Sequence, residues 1–371
     1  MELVNASALA AGYAPGRGTD GRLCIVLVAK GTFAIPADPA AEPLLAAVQP
    51  PPHDSDAHRG DPAASSALYE TDYAAFKPLC DVLLCGAAQA PAGLACAQVE
   101  VALGVGERLH KRIAVVGDRV WDYDRLRLRP SPPRPFTSMP LIWERAFGGT
   151  DTDPDGGLTT WPANPIGRGY APHRRRAQRA GLPLPNLELP GRALTQPLDD
   201  YPALGCGLVA RHWWPRAGYG GTYDAHWRAH KMPYLPDDFD TRFYQCAPPD
   251  QQIPYLAGGE PVELINLHPA GPLRFRLPHI AVPMAVIRRN GERQSLAPVI
   301  DTLTLLPDAG TFTLVWRASI PLRFGTKEIA TLLVGQPTPG WERARMMGKP
   351  YVPLTRLCAF AARRGAAEAA P

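Results

Sequence analysis

Glu144 and Asp238 stand in the two stretches richest in tryptophan, the first beside Trp143 and Trp161, the second downstream of Trp213 and Trp214. Two carboxylates facing each other across an aromatic cleft are what glycoside hydrolysis needs, one as acid and one as base or nucleophile. The same acids have a simpler use in capping turns and pairing with Arg145, Arg168, Arg211 or Arg242. Spacing alone sets no distance between two carboxylates, so a carbohydrate-active or other hydrolase using Glu144 or Asp238 is the alternative reading. Asp151, Asp153 and Asp155, followed by Gly156, match the first half of a calcium loop, with hard oxygens on alternate residues and a glycine for the turn. Pro162 stands where such a loop ends on a bidentate Glu, so an ordinary turn is expected. His226 and His230 are four apart and share a helix face, but the sequence between them is Trp-Arg-Ala, without the Glu of a zinc-protease motif. Gly16, Gly18 and Gly21 fit a dinucleotide fingerprint in spacing only, because they precede a strand instead of joining strand to helix. The basic run His173 to Arg176, with Arg179, is able to dock an acidic partner; a solvated loop is the commoner outcome. No catalytic residue, metal or cofactor is assigned on these patterns.

These residues need a scaffold, and the composition describes one. The chain has 371 residues, 46% of them hydrophobic, which fills a real core. Its 43 prolines and 34 glycines break helices and central strands, so short strands joined by long loops are expected. A net charge of +4 is too small to argue for nucleic acid. The seven cysteines form no Cys-x-x-Cys pair and read as thiols of a reducing compartment. The opening MELVNASALAAGYAPG lacks the basic start and apolar run of a signal peptide, and no stretch reaches the length of a membrane span. A cytoplasmic location is therefore expected.

Along the chain, Arg22 to Phe33 reads as a strand buried on both faces. Gln98 to Gly104 and Lys111 to Val116 read as a hairpin, and Asn290-Gly291 as a tight turn between two more strands. Residues 36–66 read as a long exposed connection. Leu141–Ala146 leaves room for a short helix. Tyr223 to Lys231 is the best short helix, with Thr222 as its cap. The fold expected is mostly β. It has two antiparallel β-sandwich-like units, at 1–130 and 256–371, the second an antiparallel meander with a short helical tail. A loop-dense central region, 131–255, lies between them. Helices are few, and the Ala-rich end from Ala361 is expected to fray.

Four segments together carry a likeness. They are VAKGTF at 28–33, WERAFGGTD with NPIGRGY between 143 and 170, LPNLE at 184–188, and the run from WPRAGYGGTYD through LPDDFD and APPDQQ to GGEPVELINLHP between 214 and 269. The pattern resembles the bacterial family named domain of unknown function 2169, over roughly residues 20 to 330. Members are typically encoded in type VI secretion clusters near the spike proteins VgrG and PAAR. The resemblance implies a non-catalytic adaptor or chaperone that holds a secreted effector and helps load it on the spike. Aromatic and arginine side chains are the favoured anchors of protein interfaces. The expected partner-binding residues are thus Trp143, Arg145, Trp161, Arg168 and Tyr170 from one stretch. The other stretch supplies Trp213, Trp214, Arg216, Tyr219, Tyr223, Trp227, Asp238 and Asp240.

Overall fold

The longest apolar run in the sequence becomes the spine of the fold. Leu23–Ala34 is a strand of 12 residues, and all but its two ends are buried. In a strand, alternate side chains point to opposite faces. Ile25, Leu27, Ala29 and Phe33 enter the main core, while Cys24, Val26 and Val28 pack on the far face against Ala75 and Val315. The computed structural model describes residues 1–18, 21–124, 127–196 and 200–351. The Ala-rich end expected to fray lies outside the described residues.

The spine belongs to a six-stranded sheet in the order Gln252–Ile253, Cys80–Leu84, Val299–Leu306, Thr311–Pro321, Leu23–Ala34, Ala10–Arg17. All its pairings are antiparallel except Cys80–Leu84 with Val299–Leu306, which is parallel. A five-stranded antiparallel sheet runs Leu187–Glu188, Leu109–Val116, Gln98–Val105, Pro261–Ile265, Leu273–Arg276. A four-stranded sheet runs Glu2–Ala6, Ile329–Gly335, Met284–Arg288, Arg293–Leu296. One continuous core takes side chains from all three, among them Leu27 and Phe312, Val101 and Val262, Val286 and Leu332. The mostly-β class is therefore the one observed, with packed sheets that are mainly antiparallel, each of the six- and four-stranded ones holding one parallel pairing, and with long irregular connections and few short helices among the described residues.

The strands do not pair along the expected division into an N-terminal unit at 1–130 and a C-terminal unit at 256–371. Each of the three sheets takes strands from both ends of the chain. The expected C-terminal meander is likewise three hairpins, each placed in a different sheet. Local signals fix a hairpin but not the sheet that receives it. The hairpins themselves form as expected. Gln98–Val105 pairs with Leu109–Val116, alternating buried and half-exposed side chains, and Asn290-Gly291 turns Met284–Arg288 into Arg293–Leu296. The helix near residue 225 is Ala225–His230, and its cap is Asp224, whose side chain accepts from the Trp227 N–H; Thr222 is engaged elsewhere. A single 3-10 turn, Trp143–Arg145, occupies the other expected helix. A second helix, Pro339–Met346, follows the last strand. Among the described residues, no helix is long and apolar enough to cross a membrane.

A fully buried carboxylate ties the loop-dense centre to this scaffold. Asp81 lies on the far face of the six-stranded sheet and accepts from Lys77 Nζ at 2.7 Å, Gln245 Nε2 at 2.7 Å, and the backbone N–H groups of Cys246 and Ala247 at 2.9 and 3.0 Å. Burial by itself raises a carboxyl pKa, but the Lys77 charge and these donors outweigh it, so Asp81 sits below the usual range. A depressed pKa contributes stability that is present above the unfolded value, near 4, and lost as pH falls through the folded value. Asp81→Asn leaves Lys77 buried without its counter-charge and is expected to cost about 3–5 kcal/mol in urea unfolding at neutral pH. The gap from the parent protein should narrow as pH drops below about 4.

Candidate functional site

The first motif stretch folds into an interlocked pair of turns. Phe147–Gly148 lies parallel to Arg168–Gly169. Between them sits Asn164, fully buried, whose amide donates to the carbonyls of Trp143 and Phe147 at 2.8 and 3.1 Å. The Gly149 N–H returns to the Asn164 carbonyl, and the Arg168 N–H to Ala146. At Gly148, φ is +144°, and a Cβ there would lie 2.2 Å from the Asn164 carbonyl oxygen. The residue must be glycine for the two turns to meet. Trp161 and Tyr170 pack on Phe147, at ring separations of 5.2 and 6.5 Å. Arg145 donates to Asp118 and Asn186, and Arg168 to the Glu144 carbonyl. The Glu144 carboxylate accepts from Ser66 through both its N–H and its hydroxyl, fastening one end of the 36–66 connection. Asp151 and Asp153 accept backbone N–H groups of Thr152, His173, Asp155 and Gly157, so the resemblance to a calcium loop resolves into a hairpin turn.

Three of the expected partner-binding residues are buried, which corrects their assignment to a docking surface. Trp143 is 5% exposed and bonds the Leu208 carbonyl. Trp213, 1% exposed, meets its ring edge-on at 5.7 Å. Arg216, 4% exposed, holds Glu70 through two nitrogens at 2.5 and 2.7 Å and also donates to the carbonyls of Val209 and Phe243. Large aromatics bury by area, and a guanidinium with five N–H groups fastens loops.

The remainder of the second stretch forms an arm over residues 214–244. Trp214, Tyr223, Met232 and Tyr234 are more than half exposed. Tyr223 stacks edge-on with Trp227 at 4.7 Å, and Trp227 Nε1 donates to the Tyr234 carbonyl. The acids of the arm are internal fasteners. Asp238 accepts from Thr222 twice, and Asp240 caps the 3-10 turn Thr241–Tyr244 while holding Arg242, which lies over the Tyr219 ring at 4.2 Å. His226 and His230 face each other at 4.7 Å on the surface. Among the described residues, no three His, Cys, Asp or Glu side chains are grouped to hold a metal ion.

Beneath the arm, the far face of the six-stranded sheet opens into a cavity of about 560 Å³. Sequence reasoning passed over most of its lining. Lys30, Thr32, Thr302, Thr304 and Thr313 form the floor, and Tyr69, Tyr73, Phe243 and Tyr244 stand around it. Buried ion pairs hold the rim and floor together: Lys30 with Asp72 at 2.8 Å, Lys77 with Asp81, Arg216 with Glu70, and, below, Arg317 with Asp301. His53 stacks on Tyr69; burial and the Lys30 charge hold it below the usual histidine range. A signal for this face was present. Lys30 and Thr32, Thr302 and Thr304, Thr311 and Thr313 are polar residues two apart in otherwise apolar strands, which is the alternation of a sheet with one polar face.

The DUF2169 family model, described as an uncharacterized protein conserved in bacteria, matches residues 20–317. Among curated proteins and solved structures none matches the chain.

The interlock around Asn164 sets a graded expectation. Gly148→Ala should lower stability by about 3 kcal/mol or more, since it combines a forbidden φ with a backbone collision. Gly156→Ala, with φ +87° but open space around it, should cost about 1 kcal/mol. Urea midpoints of the two variants check the order.

Proposed function

The chain belongs to the DUF2169 family, and from that membership, together with its aromatic arm, we propose that it is a non-catalytic adaptor for type VI secretion. In this reading it binds a secreted effector and helps load it on the VgrG/PAAR spike. The arm is the observation that carries the proposal. Trp214 is 58% exposed, Tyr223 52%, Met232 62% and Tyr234 53%. Large apolar side chains left exposed within one short segment suit an interaction surface, and Tyr223 and Tyr234 both meet Trp227 there. The arm is also ordered before any partner arrives. Asp224 caps its helix, Lys231 pairs with Asp237 at 2.6 Å, and Asp238 and Asp240 close its turns. An ordered surface avoids part of the entropy cost of association.

The acids on which the hydrolase alternative relies favour the adaptor reading. Glu144 is engaged by Ser66 and Asp238 by Thr222. Copurification of the tagged chain with the effector and spike proteins encoded beside it tests the proposal. A stable complex is expected, and the absence of one with every such partner would overturn it. Replacing Trp214 and Tyr223 together by Ala should weaken the complex about 30-fold or more, read by calorimetry, with an unchanged circular dichroism spectrum.

A further inference from the structure

The cavity has a feature that the adaptor reading does not use. Its floor is a cross-strand row of hydroxyls, because the register sets Thr304 opposite Thr313 and Thr313 opposite Thr32. The next row reads Thr302, Val315, Lys30. Thr32 is 8% exposed, yet its Oγ1 has no hydrogen-bond partner. Leaving a buried hydroxyl unpaired is destabilising, and a valine of nearly the same shape would remove the cost. Lys30 lies two residues away on the same face and is 5% exposed. Among the described residues its ammonium donates to Asp72 alone, at 2.8 Å, leaving two of its three N–H groups for a guest.

Size and charge narrow what the guest is. About 560 Å³ falls within the range of small-molecule sites. The side walls are four aromatic rings, Tyr69, Tyr73, Phe243 and Tyr244. Four cationic side chains line the cavity, Lys30, Lys77, Arg211 and Arg216, and each is paired with a carboxylate, Asp72, Asp81, Asp56 and Glu70 respectively. A cation would therefore meet no unpaired acid, and a neutral guest would leave the spare Lys30 N–H groups without a charged acceptor. We propose that this cavity binds a small organic carboxylate with an apolar body. Its carboxylate accepts from Lys30 Nζ and Thr32 Oγ1, and its body lies among the four rings. The site stands whether or not the arm binds an effector.

The test is saturation-transfer NMR on the full chain with 4-phenylbutyrate, indole-3-acetate and octanoate, each beside its neutral amide. At least one acid should bind saturably, about tenfold or more tighter than its amide, the discrimination a charge-assisted hydrogen bond gives. Thr32→Val should weaken that acid about fivefold or more while keeping or raising the Tm, a combination a purely structural hydroxyl would not produce. Lys30→Met should remove the preference for acid over amide. If that variant fails to fold because Asp72 is left without its cation, Thr32→Val decides alone. Transfer from none of the three acids, equal binding of acid and amide, or parental affinity in Thr32→Val would each overturn the proposal.

Discussion

Asp81 receives donors from Lys77, Gln245, Cys246 and Ala247 in a place with no solvent to replace them. Two of those donors are backbone amides of a segment with no sheet of its own. Without the carboxylate they would be buried and unpaired, and the cost of each would fall on the fold. The same device recurs where other irregular segments meet the sheets. Gln251, fully buried, bonds the carbonyls of Val82 and Cys206 and accepts from Lys111. Asn186 bonds the Val116 carbonyl, and Arg216 those of Val209 and Phe243. Irregular backbone cannot satisfy itself as a helix or sheet does, so side chains complete it. That is how a chain with 43 prolines keeps a long central region ordered.

The segments that carry the family likeness are largely these fasteners. In WERAFGGTD and NPIGRGY the residues that matter are Gly148, which allows a close approach, and Asn164, which fills it. In APPDQQ it is Gln251, and in WPRAGYGG it is Arg216. Motif density therefore marks where the backbone is hardest to hold. The aromatic arm is where the same stretch leaves apolar surface uncovered.

How much of this was legible follows from range. Leu23–Ala34, the hairpin across residues 98–116 and the Asn290-Gly291 turn rest on neighbours in sequence, and each appears as read. The pairing of Cys80–Leu84 with Val299–Leu306 does not, because nothing local in either strand specifies a partner more than 200 residues away. The candidate anchors divided for a similar reason. Composition marks an aromatic as fit for an interface or a core but not which, and Trp213 and its neighbour Trp214 took opposite fates. The cavity floor was written in the alternation of Lys30 and Thr32, but an isolated polar pair in a strand gains meaning only when the register sets other threonines beside it.

The crossing of the sheets has a consequence for biosynthesis. The spine strand is flanked by Thr311–Pro321, and Glu2–Ala6 lies against Ile329–Gly335. Neither partner exists until the long stretch of chain between the paired strands has been translated. Until then the nascent chain carries apolar strands with open edges and nothing to close them, the condition that invites aggregation. Closure of these sheets is thereby deferred until their distant strands emerge, and the nascent chain depends until then on whatever shields it.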